Sequence, residues 1–441
     1  MRLTPQYLPQ QSPQRALRSE RTLVATVLSV FLGLLLVSTA AAHGSLTTLI
    51  NFTGVDGDGS HPLGDLTMDT QGVLYGVTIT HGGGGAKIFK LLAPAFAGDA
   101  WVKVKLYDGK APGTVVHGNF SGLTLGKSGE LYGTADACDG GPPTQGHCVF
   151  QLAPPTDPNG DWTMSILLYK YGFEYGDGRI LPAASRLAID KFGNLYGITH
   201  RREHLTYGTI YELSPPASPG GNWSNQVLYN FQRFPQQGIP FWEPQEGLRI
   251  DQNGALYGST TRRHVIYQLA PPTGGAGSWT MSVLVDSITS GLFFYDLSAL
   301  TLSPNGSVYG VAYVNGRGFS VIQVVPPAAP GAPWTASLLP VGPNGGGPGW
   351  ELVSDENGVL YGTDMGRQQV YKMTPPAISG GDWAFITLYT FNGSDGADPF
   401  GGLLIGPSGS LFGATLTGGT GDRCHNYPPY QPGCGTLFEL H

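Results

Sequence analysis

The chain predicts an all-β fold: a seven-bladed β-propeller of four-stranded antiparallel blades. Three observations carry this. A Leu-Tyr-Gly element, or a close variant, recurs seven times, starting at Leu74, Leu131, Leu195, Leu256, Val308, Leu360 and Leu411. Such self-similarity marks a repeat architecture. Each repeat resolves into four short strand signals separated by turn residues, the make-up of a propeller blade. The last repeat stops after its third strand, while Leu46-Thr47-Thr48-Leu49-Ile50-Asn51-Phe52 matches the fourth-strand segment Ile386-Thr387-Leu388-Tyr389-Thr390-Phe391. Residues 46–52 are therefore expected to complete the seventh blade and close a ring. A ring leaves only short, protected strand edges. A solenoid needs capping repeats, and none is visible.

Within a repeat the strands are named A to D in chain order. Strand A is a short apolar run such as Gly122–Leu125, Arg186–Ile189 or Gly247–Ile250. A tight turn follows, as in Asp190-Lys191-Phe192-Gly193 or Asp355-Glu356-Asn357-Gly358. Asp or Ser first and Gly last is the chemistry of a type I turn, with or without a glycine bulge. Strand B is the Leu-Tyr-Gly segment. A variable loop leads to strand C, as in Gly208–Leu213, and a Pro-Pro pair ends it at Pro154, Pro215, Pro271, Pro326 and Pro375. Proline cannot donate to the ladder, so the strand stops there. A Gly-rich turn then leads to a Trp and strand D, the tryptophans being Trp101, Trp162, Trp223, Trp279, Trp334 and Trp383. These aromatics read as packing between blades.

The 441 residues would ordinarily make two or three domains, but the repeat makes residues 43–441 one propeller, expected to be monomeric. The 67 Gly and 35 Pro fall at fixed places in each repeat, so they read as turns rather than low complexity. The net charge of −7 disfavours a general nucleic-acid binder. Residues 1–42 start polar with Arg2, Arg15, Arg18 and Arg21, continue as an apolar run and end in small residues at Ala40-Ala41-Ala42. That is the pattern of a secretory signal. An uncleaved anchor is the alternative, since about 20 apolar residues span a bilayer. In both cases the remaining chain is expected outside the cytoplasm (periplasm, cell surface or medium), with membrane contact only in the anchored case.

Cys138 and Cys148, and Cys424 and Cys434, form two local pairs flanking turn-rich loops. Disulfides across hairpins are favoured over free or metal-bound thiols, because no Cys-x-x-Cys spacing appears. No metal site is expected. Asp56-Gly57-Asp58-Gly59 has the beginning of a calcium loop but no carboxylate at the spacing such a loop needs, which leaves calcium a weak candidate and no other cofactor.

Antiparallel blades place the B–C and D–A loops on one rim and the A–B and C–D turns on the other. The B–C loops vary most, and variable loops are where a repeat scaffold carries function. They hold Arg201, Arg202 and His204, then Arg262, Arg263 and His264, then Arg317, Arg367 and Arg423. Arginine matches carboxylate with a planar pair of donors. The expected partner is an anionic glycan, such as a uronic-acid polysaccharide, or another surface protein. The competing reading is solvated loop charge. An enzyme alternative is a lyase on the same polysaccharide, with Arg neutralising the carboxylate and His200, His204, His264 or Tyr207 moving the proton. A purely structural surface protein is the third reading.

The Leu-Tyr-Gly units, the Phe/Tyr-x-Leu-x-Pro-Pro segments, the Trp…Leu-Tyr-x-Phe segments and the Asp-Gly-x-x-Pro segment resemble the GloVer tandem-repeat family. The resemblance runs from about residue 46 to 440. It is strongest over Asp190–Tyr229 and Tyr361–Thr415, and weakest where Val308 replaces Leu and after Trp279 and Trp334. It implies a propeller-like fold and an extracytoplasmic location, and no catalytic residues.

Overall fold

The computed structural model describes residues 44–441 except 56–57, 64, 80–85, 97, 140–144, 158–159, 171–185, 200–206, 219, 233–241, 275–276, 330, 340–350, 379–380, 422 and 425–431. No helix occurs among the described residues, and the strands form seven antiparallel sheets. The expected leader at 1–42 lies outside the described residues. The third blade shows the plan most simply. Its strands Ala188–Ile189, Leu195–Thr199, Thr209–Ser214 and Ser224–Asn230 pair in the order A-B-C-D. In the seventh blade, Leu46–Asn51 is strand D and pairs antiparallel with Thr436–Leu440, Leu46 opposite Leu440 and Asn51 opposite Thr436. The ring is closed by the first strand, as the missing fourth strand of the last repeat predicts.

The structure explains each letter of Leu-Tyr-Gly. The leucines are buried in all six blades that carry one. The tyrosine hydroxyl donates to the aspartate of the A–B turn: Tyr75 to Asp69 at 3.0 Å, Tyr196 to Asp190 at 3.1 Å, and Tyr257 to Asp251 and Tyr361 to Asp355 at 3.2 Å. The other oxygen of each aspartate accepts two backbone N–H groups of its turn, as Asp190 does from Phe192 and Asn194. In six of the seven blades the glycine faces an aromatic of strand C. A Cβ on Gly76 would lie 2.6 Å from Phe89 Cζ, and one on Gly133 2.6 Å from Phe150 Cζ. Any side chain there must displace a buried ring.

Each D-strand tryptophan locks one blade to the previous one. Trp162 meets Tyr75, Trp223 meets Tyr132, Trp279 meets Tyr196 and Trp383 meets Tyr309, with ring centroids 5.8–6.2 Å apart. The same contact crosses the seam of the ring, where Trp101 meets Phe412 at 6.3 Å. Each such pair contributes about 0.5–1.5 kcal/mol beyond area burial. The core is thus a circle of interfaces between blades, as in the cluster joining Tyr132 and Val149 to Leu187, Leu195 and Tyr211.

Strand A is longer than its apolar run. The D–A loop adds a second inner segment that pairs with the far half of strand B: Val116–Phe120 in blade two, Phe294–Tyr295 in blade five and Ala397–Pro399 in blade seven. Blade four does this with one strand, Trp242–Ile250, irregular between Gln245 and Arg249. These segments hold the loop rim in defined conformations. Both expected disulfides form, Cys138–Cys148 and Cys424–Cys434, each tying a B–C loop. Two disulfides fit an oxidising compartment.

Candidate functional site

The loop rim carries all eight described nonglycine residues with positive φ: His61, Glu243, Arg263, His264, Phe293, Asp296, Gln368 and Asp398. Such conformations cost about 1–3 kcal/mol each and gather at functional sites. Five of the eight lie at blades four and five, in two loops and one tight hairpin.

That hairpin joins Leu256–Arg262 to Val265–Ala270 through only Arg263 (φ 70°) and His264 (φ 48°). The ladder between the two strands ends at Ser259 opposite Ile266, so the two left-handed residues sit at the tip of a short loop. Neither residue is the usual Asn or Gly, so the surroundings must hold them. The buried Thr260 hydroxyl accepts the Val265 N–H at 3.2 Å and donates to the Arg262 carbonyl at 3.0 Å. Arg263 Nε bonds the buried Asp286 at 2.5 Å. Arg262 Nε bonds Glu243 at 2.9 Å while its side chain stays 58% exposed.

The His264 ring lies 6.2 Å from Tyr295, Tyr295 lies 5.0 Å from Tyr313, and Tyr313 lies 5.3 Å from Phe319. Four rings therefore run across blades four and five. Tyr295 and Tyr313 are paired on neighbouring strands, as are Tyr313 and Phe319. The Tyr295 hydroxyl donates to Asn315 Oδ1 at 3.0 Å, on the turn that also carries Arg317. Arg317 is exposed and makes no ion pair among the described residues. Burial holds His264 below the usual imidazole pKa, opposed by Asp296 and reinforced by Arg262. Its Nδ1 is buried without a hydrogen-bond partner.

The predicted arginine arc divides into three groups. Arg262, Arg263 and Arg367 each bond a carboxylate, Arg367 to the buried Asp364 at 3.2 Å. Arg317 and Arg423 are exposed. Arg201, Arg202 and His204 lie outside the described residues. The positive charge of the arc is therefore partly neutralised within the protein, and His264 is brought against aromatics rather than against free cations. In the weak calcium candidate, Asp58 bonds Lys103 and accepts the Thr53 N–H at 2.6 Å. No cluster of three or more His, Cys, Asp or Glu able to hold a metal occurs among the described residues.

Residue types alone did not reveal the ring ladder. Its rings lie 18 or more residues apart for two of the three contacts, and Phe294–Tyr295 reads as a loop until its pairing with strand B is seen. The available signal was aromatic enrichment in blade five, at Phe293, Phe294, Tyr295, Tyr313 and Phe319.

No family model and no curated protein matches the chain. In fold the chain is similar to virginiamycin B lyase from Staphylococcus aureus, at 14% identity and TM-score 0.52, over 90% of this chain and 99% of that one. A catalytically inactive histidine-to-alanine variant of that lyase, with quinupristin, gives 13% identity and TM-score 0.51 over the same shares. A protein from Lactobacillus plantarum gives 12% identity and TM-score 0.50, over 84% of this chain and 98% of that one. At these identities the likeness establishes the propeller fold and no activity.

Proposed function

We propose that the chain is an extracytoplasmic binding propeller that holds an acidic glycan against the loop rim at blades four and five. The observation that carries this reading is the ladder His264–Tyr295–Tyr313–Phe319, with the exposed Arg317 on the Tyr313–Phe319 hairpin and the exposed Arg262 beside His264. Aromatic faces take the apolar face of a sugar ring, and a guanidinium takes its carboxylate. The two disulfides and the resemblance to GloVer repeats support the compartment. Retention on an array of uronate-containing glycans tests the ligand. Tyr313→Ala and Arg317→Ala are expected to weaken retention about tenfold each, since each loses roughly 1.4 kcal/mol of contact. Unchanged retention in both variants overturns the reading.

The lyase alternative is supported by the burial of His264, which lowers its pKa and so favours the neutral imidazole a general base requires. Incubation with uronate polymers separates the two. Rising absorbance from unsaturated products, lost in His264→Ala, favours the enzyme; retention without product favours binding.

A further inference from the structure

Seven residues stand at one position of the inner strands, each just before a buried leucine: Asp65, Gly122, Arg186, Gly247, Ala299, Glu351 and Gly402. The leucines that follow them, from Leu66 round to Leu403, are at most 5% exposed. The inner strands surround the axis of the ring, so this position encircles the axial channel. Arg249, two residues after Gly247, faces the same place. Four charged groups from four blades therefore meet on the axis, and the positions between them are Gly or Ala.

The glycines among them leave room for the carboxylates. Arg186 of blade three reaches past blade two, where Gly122 stands, and donates Nη2 to the Leu66 carbonyl of blade one at 3.0 Å. Arg249 of blade four reaches past blade five, where Ala299 stands, and bonds Glu351 of blade six. Asp65 accepts the Gly402 N–H at 3.2 Å. A Cβ on Gly122 would lie 2.7 Å from the Asp65 carboxylate, and one on Gly402 2.8 Å from Glu351 Oε2. The cluster is reached by solvent, since the Arg249 and Glu351 side chains are 20% and 14% exposed.

Arg186 is incompletely satisfied. Its Nε is buried and has no hydrogen-bond partner. A buried donor left alone costs about 1–3 kcal/mol, more when charged, and an orphan of this kind needs an explanation. Arg249, by contrast, has a carboxylate of its own. We propose that the axial channel is a second binding site, independent of the rim site, in which the incompletely satisfied guanidinium of Arg186 takes the carboxylate of a small organic acid.

The charge balance favours an anion. With Glu351 holding its proton, the two arginines outnumber the single Asp65 carboxylate. Burial pushes Glu351 up to about 7, against Arg249 and with Asp65, while Arg186 also opposes the rise. The charged groups facing Glu351 are these three, on blades one, three and four. When Glu351 loses its proton, the surplus positive charge vanishes, so the site is strongest below neutrality.

Calorimetric titration with malonate tests this. At pH 6 the wild type is expected to bind one equivalent. Arg186→Lys, which keeps the charge but loses the planar edge, is expected to bind at least tenfold more weakly, and so is Arg186→Gln. Tyr313→Ala, on the rim, is expected to bind malonate as the wild type does, which separates failure here from failure of the glycan reading. The wild type is expected to bind severalfold more weakly at pH 8 than at pH 6. Absence of saturable binding, or equal affinity in Arg186→Lys, overturns the proposal. Should both Arg186 variants fail to fold by circular dichroism, the wild type still decides: affinity at pH 8 equal to or above that at pH 6 overturns it.

Discussion

On the turn rim, every positive φ among the described residues belongs to a glycine, from Gly72 and Gly129 to Gly358 and Gly409. On the loop rim, Phe, His, Arg, Glu, Gln and Asp adopt the same conformation. The same seven repeats supply both edges. In four of the seven blades the turn rim repeats one solution, in which an aspartate carboxylate ties down two backbone N–H groups and the tyrosine of strand B. The loop rim solves each position differently, through Asp286 under Arg263, Asp364 under Arg367, and Gln368 with Asp398 at 2.9 Å. Local residue choice suffices for the first edge. Tertiary contacts impose the second, which is how strained backbone persists at sites that bind.

If the frame between the rims is set by the fit of glycine under a strand-C aromatic, filling that space should be the most damaging change in the chain. Gly133→Ala places a methyl 2.6 Å from Phe150 Cζ and 3.0 Å from Cε1, inside a fully buried cluster. Overpacking of this kind costs about 1–3 kcal/mol or more. A drop in thermal midpoint is expected that Gly133→Ala combined with Phe150→Leu partly reverses. A midpoint within a degree of the wild type would mean that the repeat glycine answers to something other than the ring.

The channel joins the two edges, and its charge cluster gives a pH signature that neither rim has. Glu351 is raised from an ordinary 4.5 to about 7. Between those values the folded chain keeps a proton that the unfolded chain has released. Its contribution is therefore fully present below about 4.5 and is lost as pH rises through about 7. About 1–3 kcal/mol of stability is expected to disappear across that window, using the free energy of one pKa unit and allowing for the coupled arginines. Glu351→Gln, which cannot ionise, should flatten the slope. Denaturant midpoints at pH 5, 6, 7 and 8 measure it. Parallel slopes in the two proteins would place the titration elsewhere.

How much was legible follows the same division. The Asp190 turn, the Tyr196 hydroxyl and the glycine of Gly197 are local or one strand apart, so the repeat displays them directly. Closure by residues 46–52 was legible because strand D has its own pattern. The pairing of Cys138 with Cys148 was legible because a hairpin brings the two together. The four charges of the channel were not. Asp65, Arg186, Arg249 and Glu351 are each a lone charge in a short apolar strand, and what unites them is their shared place before the inner leucine. The left-handed turn at Arg263-His264 was hidden for another reason. Neither residue signals positive φ, and the Asp286 that holds Arg263 lies 23 positions away.

The smallest effect tests the comparison most directly. Phe293 has φ 47° and is 54% exposed, so its side chain gains little from burial. Left-handed backbone costs a residue with a Cβ about 1–2 kcal/mol, and glycine gives back about 0.5–1 kcal/mol through greater freedom in the unfolded chain. Phe293→Gly is therefore expected to stabilise by about 0.5 kcal/mol, the balance of those two costs. The reverse change on the turn rim, Gly193→Ala at φ 91°, meets nothing nearer than 3.8 Å and should destabilise through backbone strain alone. Opposite signs in paired denaturant titrations would show that strain is held on one edge and avoided on the other. Destabilisation by both would mean that Phe293 is held by side-chain contacts, and that the loop rim stores no strain at that position.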